Sequence, residues 1–242
     1  MKIKRNSLFL LIALIPILLT STITANALNT GFDTYDKPAE EKASFISYIN
    51  LSLITEEPAK KSIVCFAVSD NHMIAVGQQT VSTRKTVCVY SADGVFQYGY
   101  TFGCYGAFGL EWDNENLNIY FVRSDVILSV TPSGEVLDAL EIQDTKHSNS
   151  HMNDLLYSRK LKIGDTEYAL QIDLGFLRFF LPTSQSKVIA TNENGEISVI
   201  YDATAEHRLE MGLRAIYLSF FLVMFIVYAI SYKIKQHSKK RR

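Results

Sequence analysis

Three turn pairs, Asp93-Gly94, Ser133-Gly134 and Asn194-Gly195, each separate two runs of β-forming residues. Pairs of this kind supply the positive φ that a tight hairpin needs for its strands to keep their natural twist. Seven residues before each Gly stands an apolar strand residue: Val87, Ile127 and Val188. An outgoing strand follows each Gly, and a further strand pair precedes each hairpin. Runs rich in Val, Ile, Phe and Tyr predict strands over 63–69, 73–77, 86–90, 95–102, 108–112, 117–122, 126–130 and 136–142. Four more follow over 168–172, 176–181, 187–191 and 196–201. These group into three units of four, near 62–102, 108–142 and 168–201. The segment 143–167 between the second and third reads as an insertion, a solvated surface loop.

Four antiparallel strands in about 40 residues is the size of a propeller blade. In the middle unit, Phe108-Gly-Leu-Glu-Trp-Asp113 is an apolar strand ending at an Asp. A second strand follows, then a third that runs to the Gly134 hairpin. This unit resembles a blade of the NHL or related six-bladed propeller type. The resemblance implies a mainly β fold of about three four-stranded antiparallel units, in an open or incomplete propeller. Three blades do not close a ring, so closure asks for a hidden sheet before residue 62 or for a homodimer. A β-sandwich whose hairpins only look repeated is the alternative.

The two ends are of a different kind. Residues 1–27 read as a signal peptide: a basic start, an apolar stretch over 8–19 and the small-residue site Ala25-Asn26-Ala27. Residues 215–232 carry no charge and predict a transmembrane helix of about 27 Å, led by a juxtamembrane helix over 204–214 with Thr204 as its cap. The basic tail 233–242 is expected to stay cytoplasmic, placing the body outside a plasma membrane. All 25 acidic residues fall within 28–214, against 15 basic ones there. That balance argues against a nucleic-acid partner.

Residues 28–61 are expected to hold a linker near 31–37, then a helix begun by Asp36 and Pro38, running into a strand. Cys65, Cys88 and Cys104 cannot all pair within one chain, and read as buried thiols. No phosphate loop, dinucleotide fingerprint or nucleophile elbow is present. No catalytic residue and no cofactor is assigned. His147 and His151 are four apart and, with Asp144 or Asp154, have the residue types of a divalent-metal site if they share a helix face. Trp112, the only Trp, reads as core.

These features predict a single-pass, membrane-anchored, extracytoplasmic β domain that acts as a non-catalytic interaction or sensing module. Its partners would be the bilayer through 215–232 and a protein or surface polymer, with a homo-oligomer as a further option. The alternatives are a metal-dependent hydrolase with its site in 143–167, and a structural subunit of a membrane complex.

Overall fold

The computed structural model describes residues 28–78, 83–173 and 185–240. The expected signal peptide, the expected strand over 176–181 and residues 241–242 lie outside these. The described chain begins with β1 (Thr34–Asp36), α1 (Ala39–Ile49) and β2 (Ser52–Ile54). The first unit is β3 (Ile63–Val68), β4 (Ile74–Gln78), β5 (Arg84–Tyr90) and β6 (Phe96–Gly103). The second is β7 (Phe108–Asp113), β8 (Asn116–Phe121), β9 (Val126–Val130) and β10 (Val136–Ile142). Then come α2 (Lys146–Tyr157), β11 (Lys160–Ile163), β12 (Thr166–Gln171), β13 (Lys187–Thr191), β14 (Ile197–Asp202) and α3 (Thr204–Lys240). The fold is mainly β, 43% strand, in three open antiparallel sheets.

Each unit forms one sheet with its strands in chain order. The three hairpin turns are alike. In each, the Gly N–H donates to the carbonyl three residues back, and the Gly has φ of +76°, +85° or +78°. β2 pairs with β6, and β1 with β10, so the first and second sheets each have five strands. The stretch expected to be a linker therefore includes an edge strand. Asp36 belongs to that strand and pairs with Lys42, while Pro38 stands at the α1 N-cap with no side-chain cap bond.

The sheets stack face to face, with the first in the middle. One of its faces carries Ala67, Val87, Val89, Tyr100 and Phe102 against Phe108, Leu110, Ile119 and Phe121 of the second sheet. The other carries Phe66, Ile74, Val76, Cys88 and Tyr90 against Tyr168, Val188, Ala190 and Tyr201 of the third. Burial on both faces explains why residues 74–77 of β4 and 87–90 of β5 read as unbroken apolar runs rather than alternating ones. The far face of the second sheet is closed by Phe32, Met152 and Leu155, packed over Tyr120, Ile127 and Ile142.

Two expectations change here. The insertion is no loop: it holds α2 and β11. Thr145 caps α2, its Oγ1 accepting from the Ser148 N–H at 3.0 Å. The third sheet accordingly starts at β11, not at 168, and β11 pairs with β12 from Lys160↔Ala169 to Ile163↔Thr166. α3 includes the predicted 215–232 segment. Among the described residues, no helix is both long and apolar enough to cross a membrane. Beyond Tyr228 no side chain of α3 is described. The three cysteines are free and buried.

Candidate functional site

The metal candidates do not converge. His147 is exposed on α2. His151 lies on the same helix, but its Nε2 is 2.9 Å from Glu111 Oε1. Glu111 also accepts from the Thr30 hydroxyl at 2.6 Å and the Gly31 N–H at 3.1 Å. The His151–Glu111 pair therefore fastens the 29–33 strap and α2 onto β7. Gly31 is required there, because a Cβ would sit 2.3 Å from the imidazole. Asp144 accepts from Asn149 Nδ2 at 2.7 Å, and Asp154 borders a separate cleft. Among the described residues no three His, Cys, Asp or Glu are grouped to hold a metal ion. The hydrolase alternative thus has no assembled ligand set there.

That cleft, of about 520 Å³, opens where the first strands of the three sheets, β3, β7 and β11, come together under the end of α2. Asp70, Glu115 and Asp154 stand exposed at its rim. Trp112 lines it and also packs against the core between the first and second sheets, as a core residue should.

The stack has two unlike ends. At the second sheet, α2 and the 28–33 strap cover the outer face. At the third sheet, Ile197 is 66% exposed and Val199 51%. Among the described residues β14 has no strand beyond it, whereas the matching strands β6 and β10 are covered by β2 and β1. The hairpin turns follow the same progression. Gly134 of the second sheet lies against Leu53 of β2, where a Cβ would be 3.1 Å from the Leu53 Cβ. Gly94 of the first sheet lies against β14, where a Cβ would be 2.9 Å from the Ile200 carbonyl. Among the described residues, Gly195 of the third sheet meets nothing within 4 Å.

Sequence comparison adds no relative. The chain matches no protein-family model, no curated protein and no solved structure.

The third sheet is also where α3 leaves the body, and its root is fixed. His207 is fully buried and its Nδ1 hydrogen-bonds the Ser62 hydroxyl, just ahead of β3. Arg208 reaches the Asp173 carboxylate at 3.2 Å, and Lys187 bonds Asp173 at 3.1 Å and Asp202 at 3.4 Å. Lys187 holds the Asp173 carboxyl below the usual range. The Thr204 side chain does not act as the cap: Asp202 Oδ1 accepts from the Thr204 N–H at 2.8 Å.

Glu111, Gly31 and the exposed edge of the third sheet are not marked by any motif in the sequence. Glu111 sits between Leu110 and Trp112, and alternation alone says only that it faces the other way. Nothing local indicates which polar groups meet it.

Proposed function

We propose that the chain is a single-pass, membrane-anchored, extracytoplasmic β module that works by binding, with the third sheet as its contact surface. The observation that carries this reading is the asymmetry of the stack. One end is closed by the chain itself. The other, among the described residues, leaves an edge strand, two exposed apolar side chains and a hairpin with nothing against it. Edges of this kind pair with other chains unless they are blunted, and strand addition is a common mode of recognition. In a propeller-like reading, each sheet's hairpin packs over the next unit, and among the described residues the third sheet has no such next unit. The second sheet's covered outer face leaves no place for a copy of this chain to supply it head to tail, which favours a different protein.

The anchor is supported by α3. Every residue from Ala215 to Tyr228 is exposed. Among them Ile216, Leu218, Phe220, Phe221 and Phe225 are each 60% exposed or more. A helix that is apolar all round belongs in lipid or in a protein core. The uncharged segment continues in sequence to Tyr232, and the tail supplies the basic residues that would hold its end inside.

Two experiments test the reading. In sealed vesicles, the body should be protected from protease on one side while a tag on the tail is cut from the other, and alkaline carbonate should not extract the chain. Extraction by carbonate would remove the anchor. In intact membranes, the double substitution Ile197→Asp/Val199→Asp should abolish cross-linking to a partner while leaving the thermal transition within a few degrees. Unchanged cross-linking would remove the third sheet as the contact surface.

A further inference from the structure

A second cleft, of about 440 Å³, lies far along the chain from the third sheet and uses none of its residues. Three segments build it. The end of α1 brings Phe45, Tyr48 and Ile49, the corner after β6 brings Cys104 and Tyr105, and the β8–β9 turn brings Arg123. Gly103 lets α1 end directly on this corner, since a Cβ there would lie 3.3 Å from the Ile49 carbonyl. Phe45, Ile49, Cys104 and Phe121 make an apolar floor that is packed into the core between the first and second sheets.

The rim differs from the floor. Tyr48 is 59% exposed and Tyr105 is 53% exposed. Their rings stand 6.4 Å apart with planes 23° from parallel. Two neighbouring aromatic rings held in water are the composition of a recognition surface, where a flat partner gains both burial and stacking. Arg123 is exposed, and among the described residues its guanidinium forms no ion pair. Among the described residues the lining contains no carboxylate, in a body with ten more acidic than basic residues. A free guanidinium beside aromatic rings offers a planar fork to a carboxylate.

We infer that this cleft binds a ring-bearing carboxylic acid, with Tyr48 and Tyr105 against the ring and Arg123 on the carboxylate. The volume suits a single ring with a short acidic arm. An aromatic acid and a sugar acid both have this chemistry, and both reach an extracytoplasmic surface. This site is distinct from the contact surface proposed above, so either can fail without the other.

The test is calorimetric titration of the full chain in lipid nanodiscs. The probes are phenylacetate and glucuronate, with phenylacetamide and glucose as their neutral counterparts. At least one acid should bind saturably and about tenfold or more tighter than its neutral counterpart. That acid should lose about tenfold or more in Arg123→Gln, at unchanged circular dichroism. Tyr48→Ala/Tyr105→Ala should reduce the preferred acid to the affinity of acetate. Preference for phenylacetate assigns an aromatic acid, and preference for glucuronate assigns a sugar acid. Equal binding of acid and neutral probes, no binding by either acid up to millimolar concentration, or affinity unchanged in Arg123→Gln would each overturn the site.

Discussion

Gly31 and Cys88 make the clearest statements at the scale of single residues. Gly31 is pressed against the His151 ring, and the ring is held by Glu111. Gly31→Ala should destabilise the chain by about 1–3 kcal/mol in a denaturant titration, the usual cost of overpacking. His151→Ala removes the obstacle, so the double variant should be more stable than the two single changes added together predict. Additive costs would mean that the strap and α2 do not meet there. Cys88 is buried between the first and third sheets, and burial pushes its thiol up to about 12 from an ordinary 9.0. The folded chain keeps this proton at pH values where the unfolded chain has lost it. The contribution is therefore present in full below about pH 9 and is lost as pH climbs toward 12, by up to about 1.4 kcal/mol per pH unit. Denaturant titrations from pH 8 to 11 should show a shallower decline in Cys88→Ala than in the parent. Parallel curves would mean that the thiol titrates freely.

Among the elements, long strands were legible in the sequence and short or polar ones were not. β9, β10 and β13 have the bounds their apolar runs predict, because those runs meet turn residues at both ends. β1 and β2 have three residues each, and only the neighbour they pair with makes them strands. β11 does carry a local signal, since Lys160-Leu161-Lys162-Ile163 alternates polar and apolar, but over only four residues. α2 was hidden by its own composition. Ser148, Asn149, Ser150 and Asn153 compete for backbone hydrogen bonds and disfavour a helix interior. The Thr145 cap and the burial of Met152 and Leu155 against the second sheet hold it together. The clasp that holds the strap and α2 to the second sheet is less legible still, because Glu111, His151 and Thr30 are remote in sequence and meet only through tertiary packing. At the root of α3, His207 and Asp173 differ in weight. His207→Ala leaves Ser62 buried without its partner and should cost about 1–3 kcal/mol. Asp173→Asn breaks exposed ion pairs and should cost less than about 1 kcal/mol. Thermal unfolding of the two variants checks the order, and a larger loss in Asp173→Asn would place the main attachment of α3 in its charges.

At the scale of the whole molecule, the three sheets make a stack whose middle layer is buried on both faces, so the first sheet depends on both neighbours. The second sheet's outer face is closed by α2 and the strap, while among the described residues the third sheet's edge and its hairpin at Gly195 stay open. That polarity, together with the exposed apolar side chains over 215–228 of a helix rooted beside the open end, is the basis for reading the chain as a tethered binding module. The decisive measurement is photo-cross-linking in intact membranes, with a photoreactive residue at position 199 or, as control, at exposed position 147 on α2. A discrete product containing another protein, formed from 199 and absent from 147, is the expected result. Equal products from both positions, or none from 199, would contradict the open end as the working surface, and a product of twice the chain's mass would replace the foreign partner with a second copy.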